Sequence, residues 1–474
     1  MQISIANLSE ALKYNRIDPD FFRSGYQDSS ARVDSKKTDS LSQIAYISDG
    51  NHLKIAEEFS DCAGVRYLRG QDLSTDMLLS DRNIVYIPEA LFQSLKRSHI
   101  YKDDILITIV GANTGLVGLV FSPPAKLVAS CKLGLIRVQK NIRPGYLYAF
   151  LSSHYGQAQI LRSIRGGGQT GLILPDVRNI KIVRSGNAFE EKIHNIVYRG
   201  HNSINESRDI YCQAEQILLS ELGLLNWKPK HQLSFVKKFS DTDTAGRIDA
   251  EYFQPMYENI LAATKTKNPV LLDDIVSIKK CVEPGGDAYQ ESGIPFLRVS
   301  NLSKFGINND NQQFISAKLY DTLKTHQPKK GEILVSKDAT PGIAYYLKDA
   351  PEKTIPSSGI LKLTIKEASS VLPEYLTLVI NSVIVQKQIE RDAGGSIINH
   401  WLVDQVKNTV IPILPPTKQK EIAVNVDQSF RDREQSKRLL EIAKRGVEMA
   451  IEKSEKDAQN WIEADLKKLN VRLD

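Results

Sequence analysis

Arg16-Ile17-Asp18-Pro19-Asp20-Phe21-Phe22 and Arg247-Ile248-Asp249-Ala250-Glu251-Tyr252-Phe253 are two versions of one phrase. Downstream of both copies the same landmarks recur in the same order. Leu41-Ser42-Gln43-Ile44 answers to Leu272-Asp273-Asp274-Ile275, and Tyr67-Leu68-Arg69 to Phe296-Leu297-Arg298. Lys102-Asp103-Asp104-Ile105-Leu106-Ile107 answers to Lys330-Gly331-Glu332-Ile333-Leu334-Val335, and Pro144-Gly145-Tyr146-Leu147 to Pro373-Glu374-Tyr375-Leu376. Gly166-Gly167-Gly168 then matches Gly394-Gly395. The offset stays near ~230 residues, far above the period of a stacked repeat, so the chain is a duplicated domain rather than a solenoid. Two diverged copies of one fold suggest a molecule that reads two different things.

With 474 residues the chain holds two to four domains on size alone, and the duplication selects two equivalent halves, each long enough for its own core. Its 41% hydrophobic and 25% charged content is ordinary for a soluble globular protein and argues against disorder or a fibrous class. The net charge of +6 permits a nucleic-acid partner without demanding one. Cys62, Cys131, Cys212 and Cys281 stand apart, with no zinc or disulfide spacing, which fits a reducing cytoplasm. No export signal opens the chain. The uncharged run 105–125 is long enough to cross a bilayer, but its glycines, Asn113 and Pro123-Pro124 read better as two strands joined by a glycine turn, so no membrane partner is expected.

Short β-branched runs separated by turn residues predict strands over 44–47, 84–87, 105–110, 117–121 and 133–138, and in the second half over 275–278, 296–299, 333–336, 343–347 and 360–365. An amphipathic helix comes next in each copy, over 144–164 and 373–393, opening on a proline whose missing N–H costs nothing there and closing on glycines. From Phe189 a different pattern begins. Ile193, Ile196, Gly200, Ile204, Tyr211, Ala214, Leu218, Leu222 and Leu225 recur at three-four spacing, and so do Ile422, Val426, Phe430, Leu440, Ala443, Val447 and Ile451 after Pro415-Pro416. Each stripe needs a partner helix, and the other stripe supplies it. Asn226-Trp227-Lys228-Pro229-Lys230 and the polar stretch 240–246 read as the linker between halves.

This order of landmarks, met twice, resembles the specificity subunit of type I restriction-modification enzymes along the whole chain. Its carriers are 102–108 and 330–336, which look like the family's "GDIL" strand, the "P-x-Y-L" helix starts at Pro144 and Pro373, the glycine turns, and Ile411-Pro412-Ile413-Leu414-Pro415-Pro416 before Lys418-Gln419-Lys420-Glu421-Ile422. The first copy departs from the pattern at Ile182-Val183-Arg184-Ser185-Gly186, where prolines are expected. The resemblance implies an α/β (α+β) protein with two homologous target recognition domains, 1–186 and 246–415, a linker at 226–245, and two conserved-region helices, 187–225 and 416–470, forming an antiparallel coiled coil. It implies that each domain reads one half of a bipartite site in double-stranded DNA. Two modification (methyltransferase) subunits would dock on the helices, with restriction subunits joining them. No catalytic residue, cofactor or metal is implied for the chain itself. A helix of about 36 residues spans roughly 54 Å, enough to set two domains about one turn of B-DNA apart.

Rival chemistries find weaker support. Ser122-Pro123-Pro124-Ala125 has the outline of an amino-methyltransferase loop, but Ala125 stands where an aromatic should stack on a flipped base. Pro175-Asp176 with Glu190-Glu191-Lys192 makes a poor nuclease pattern, since Glu190 opens a helix whose N-terminus favours acids anyway. The turns 111–118 and 166–171 lack the Lys-Ser/Thr ending of a P-loop, and His194 with His201 are too few for a metal. Base reading needs Arg, Lys, Asn, Gln, Ser or Thr on loops. The candidates are Arg66, Arg69, Gln71, Asn113, Thr114, Arg165, Gln169 and Thr170 in the first half, and Arg298, Ser300, Asn301, Lys337, Thr340, Ser396, Asn399 and His400 in the second. Matched positions such as Arg69 and Arg298 are equally read as supports of the fold or phosphate contacts.

Overall fold

The computed structural model describes residues 8–14, 16–74, 79, 83–122, 126–139, 142–166, 171–309, 311–366, 371–393 and 399–473. The chain divides into two units, one formed by 1–205 with 432–474 and the other by 206–431. Each long helix therefore contributes to both.

At the centre of the first unit lies the strand Ile105–Thr108, apolar at nearly every position and buried at all of them. Such a run suits a strand covered on both faces. Ile105 and Ile107 face the helices, meeting Tyr146, Leu147 and Phe150, while Leu106 turns to the opposite cluster with Leu68, Leu127 and Leu133. It sits in a four-stranded antiparallel sheet in the order Ala45–Asp49, Leu133–Val138, Ile105–Thr108, Val117–Leu119. The second unit repeats this as Val276–Lys280, Ile360–Ile365, Ile333–Ser336, Ala344–Tyr346, again antiparallel throughout. A second sheet adjoins each one and holds a parallel pair: Val65–Leu68 beside Leu127–Ala129, and Ile294–Leu297 beside Ile355–Pro356.

The helix expected over 144–164 is two helices, Pro144–Ser152 and His154–Arg162, and that over 373–393 is likewise Pro373–Asn381 and Val383–Asp392. A buried serine breaks both. Ser153 and Ser382 adopt extended backbone, with ψ 167 and 165°, and each hydroxyl donates back to a carbonyl of the preceding turn, Phe150 and Val379. Apolar periodicity runs through the break because both helices bury the same side, so the pattern hides what serine does as a cap. The tyrosine of each P-x-Y-L start is fully buried and donates to a carbonyl at the end of the returning strand, Tyr146 to Val183 and Tyr375 to Pro412 just beyond it, at 2.8 and 2.7 Å. Gln159 and Gln388 each clamp the same strand through a carboxamide that both donates to and accepts from one residue, Lys181 and Val410. The repeated P-x-Y-L pattern is thus a set of contacts between helix and returning strand.

The long helices are Asn187–Glu221 and Pro416–Glu452. Within the first unit Ile193, Ile196 and Val197 share a core with Leu439, Ala443, Val447 and Ile451. Within the second, Ala214, Leu218 and Leu222 share one with Ile422 and Val426. There Ser207 meets Ser429 while Glu221 meets Lys418, so the pairing is antiparallel. Leu225, the last residue of the expected stripe, is exposed because the helix has already ended before Gly223, whose φ is +68°. The second helix does not run on to 470. Ser454 caps a separate helix, Glu455–Lys468, accepting the Asp457 N–H, and Ile462 of that helix comes back against Gly446, where a Cβ would lie 2.7 Å from the isoleucine. The polar stretch read as linker also contains a short helix, Phe239–Ala245, ended by Gly246 in the left-handed region.

His194 fixes the long helix to the Pro144 helix: its Nδ1 accepts the Gly145 N–H at 3.1 Å, and a Cβ on Gly145 would lie 2.9 Å from the His194 backbone. That hydrogen bond requires a neutral ring. Burial holds the His194 imidazole below its ordinary value. The unfolded chain therefore takes up the proton first, and stability that is full above about pH 6.5 is lost as pH falls from there toward the folded value. Replacing His194 by Gln is expected to flatten the acid side of the first unit's stability profile, measured as denaturation midpoints between pH 7.5 and 5; an unchanged profile would contradict the capping role.

Candidate nucleic-acid interface

At one end of each four-stranded sheet, loops distant in sequence are tied together by backbone hydrogen bonds. In the first unit Ile109 donates to Lys132 O and accepts from Leu172 N, Ser130 N reaches Leu68 O, and Arg165 pairs with Gly171 in both directions, all at 2.8 to 2.9 Å. Gly70 lies so close to Thr108 and Lys132 that an added Cβ would be 3.0 Å from the threonine methyl. This brings the segments carrying Arg69 and Gln71, Asn113 and Thr114, and Arg165 to one place. The second unit repeats the ties: Lys337 donates to Gly359 O and accepts from Trp401 N, Ser357 N reaches Leu297 O, and Ala339 N reaches Asn399 O. Gly359 lies against Val299 and Asp338. Arg298, Ser300 and Asn301, Lys337 and Thr340, and Asn399 and His400 converge in the same way. Gln169, Thr170 and Ser396 lie outside the described residues.

The ties also fix the matching of the two turns. Lys337 makes the bonds that Ile109 makes, so it belongs at the base of its turn, while Thr340 is at the tip. Gly115 N bonds to Thr108 O and Gly342 N to Ser336 O, which makes the second turn one residue shorter. Gly111, at φ +120°, answers to Ala339, at +61°.

Within each cluster the candidates divide into those already engaged and those whose side chains point outward. Arg69 is held by Asp72 and Arg165 by Asp176. Asp338 lies between Lys337, at 2.6 Å, and His400 Nδ1, at 2.8 Å. Thr114 Oγ1 donates to Gly111 O. Asn301 is fully buried, and its carboxamide oxygen accepts the Arg298 N–H, so it serves the turn rather than the surface. Arg66 is partly exposed and lies within its strand, opposite Tyr86 and Leu127. Gln71, Asn113, Ser300, Thr340 and Asn399 are exposed at the loop tips. Lys132, which residue type alone does not single out, is an exposed cation in the first cluster. Its signal was the short strand Leu127–Ala129, which places the Cys131-Lys132 turn at this end.

Described residues of the rival patterns have other engagements. Asp176 is bound to Arg165, and Glu190 accepts the Ser185 N–H and the Arg184 guanidinium at the start of the long helix. His201 stacks on Phe121 at 3.7 Å while His194 caps a helix, and the described residues contain no group of ligands able to hold a metal. Pro123 to Ala125 of the Ser-Pro-Pro-Ala loop lie outside the described residues. No described helix is long and apolar enough to cross a membrane.

Residues 265–444 match the family model described as the type I restriction modification DNA specificity domain. No curated protein matches the chain. Among solved structures it is similar to the type I restriction-modification system S subunit from M. genitalium, at 13% identity and a TM-score of 0.38 over 91% of this chain and 95% of that one. It is also similar to the HsdS subunit from Thermoanaerobacter tengcongensis, at 13% identity and a TM-score of 0.27 over 91% and 96% of the two chains.

Proposed function

We propose that this chain, whose residues 265–444 match the model of the type I restriction modification DNA specificity domain, reads a bipartite DNA target with one recognition module per half-site. In this reading the paired long helices serve as spacer and as docking surface for two modification subunits, with restriction subunits joining the assembly, and methyl transfer and cleavage belong to those partners. The observation that carries it is the recurrence of one loop cluster, tied by the same backbone bonds, with different side chains at the tips: Gln71 and Asn113 in the first unit, Ser300, Thr340 and Asn399 in the second. A fixed frame with variable polar tips suits direct reading of base edges, and tips that differ imply half-sites that differ.

Selection from random duplexes by the full chain with its modification partner tests the reading. Two short, unlike motifs at a fixed separation are expected, and unpatterned recovery would favour a scaffold that joins proteins without reading DNA. Inserting one helical turn of four residues into the segment 189–222, about 6 Å of helix, is expected to lengthen the unread gap and leave both half-sites as they were. An altered half-site would contradict the division between spacer and readers.

A further inference from the structure

Arg69 and Arg298 occupy the same seat in the two units. Each guanidinium donates through Nη2 to a backbone carbonyl across the loop, Asn83 and Asn311, at 2.5 Å, and each backbone N–H is accepted by the side chain three residues on. The side chain three residues on is where they part. In the first unit it is Asp72, whose carboxylate also takes Nε and Nη2 of Arg69 at 3.2 and 3.1 Å. In the second it is Asn301, which accepts the backbone N–H but carries no charge, and Arg298 Nε is buried with no acceptor among the described residues. Asp338, which adjoins this loop across Gly359, is taken by Lys337 and His400.

We propose that Arg69 is a brace, neutralised by Asp72, whereas Arg298 is a phosphate contact whose charge is left available because Asn301 stands where an aspartate could. The inference rests on the DNA-reading function. A guanidinium without a counter-charge among the described residues, held in place by one carbonyl, is oriented and still electrostatically open, which is what an anionic phosphodiester oxygen requires. The first unit has no such need, since its Lys132 supplies an exposed cation in the same cluster.

The chain provides its own control for the test. Asp72 shows that an aspartate in this seat accepts the same N–H, so Asn301→Asp keeps the turn while supplying the missing carboxylate. Duplex binding by the full chain is measured against salt concentration for the wild type, Asn301→Asp and the reciprocal Asp72→Asn. Asn301→Asp is expected to make the log–log salt slope shallower by about 0.9 and to weaken binding about eightfold at 0.1 M salt, equally on all sequences. Asp72→Asn is expected to steepen the slope. If wild type binds DNA and its slope is unchanged by Asn301→Asp, the phosphate role of Arg298 is wrong. Loss confined to one base pair with an unchanged slope overturns it in favour of base contact. Inorganic phosphate that competes with the duplex at constant ionic strength would show a general anion site and also overturns it. A wild-type chain that binds no duplex even with its partner present would instead remove the functional reading on which the inference rests.

Discussion

Glu332→Gln is expected to destabilise the second unit by about 3 to 5 kcal/mol, the cost of leaving a buried charge without its partner. Glu332 and Lys362 are 5% and 3% exposed, and their charged atoms stand 4.0 Å apart. The carboxylate accepts the Lys329 N–H at 2.8 Å, which a carboxamide oxygen can still do, so the substitution removes the charge and little else. Among the described residues Lys362 would keep only its contact with Gln327 O, at 3.3 Å. Adding Lys362→Met should restore most of the loss, because a pair with such wide spacing offsets its own desolvation poorly and a well-packed apolar replacement is often neutral or better. Urea denaturation monitored through Trp401, which is 1% exposed within this unit, reads both effects. A change under about 1 kcal/mol for the single variant would mean that water reaches Lys362. The acid at the matched position of the first unit, Asp104, is paired from a different strand position, since Arg137 answers to Thr364 rather than to Lys362. Asp104 is 1% exposed, but its bidentate partner Arg137 keeps 36% of its side chain in solvent, so Asp104→Asn is expected to cost less.

Legibility of the fold in the sequence depends on the range of the interactions involved. Strands such as Ile105–Thr108 and Ile333–Ser336, and the apolar stripes of the long helices, are local patterns that burial enforces residue by residue, and they lie where the sequence predicts them. The strands Leu127–Ala129 and Ile355–Pro356 were not anticipated. They are two or three residues long, and their parallel partners are Val65–Leu68 and Ile294–Leu297, about 60 residues away, a pairing that no local period announces. Single serines escaped for the opposite reason. Ser153, Ser382 and Ser454 each end one helix and begin another, an effect of one hydroxyl that apolar periodicity overrides on paper. For the candidate interface, residue type picked out loops rich in Gly, Asn, Thr and Arg that the fold brings together at one end of each sheet. It could not separate Asn301, spent on the Arg298 turn, from Asn113, which is exposed at a tip, because the distinction lies in burial and hydrogen bonding.

Replacing Gln71 and Asn113 together by Ala is expected to relax one half-site and leave the other untouched. Both residues are exposed on loops tied to the same sheet end, and their carboxamides are not needed by the backbone bonds that hold those loops, which run instead through Ile109, Lys132 and Leu172. Removing them should therefore spare the frame. Asn and Gln pair in a bidentate manner with the N6 and N7 edge of adenine, each such contact discriminating by about 1 to 3 kcal/mol, so the half-site read by the first unit is expected to contain adenine and the variant to lose roughly 5- to 150-fold in discrimination per position. The second half-site, assigned to Ser300, Thr340 and Asn399 on the proposed function, should keep its preference, because changes in separate units with no shared partners act independently. Protection or methylation of a duplex pool randomised in both half-sites, with the modification partner present, measures the two losses side by side. Equal weakening across all sequences, with a shallower salt dependence, would place these carboxamides beside phosphate; relaxation of both half-sites at once would mean that the two loop clusters do not read separate stretches of DNA.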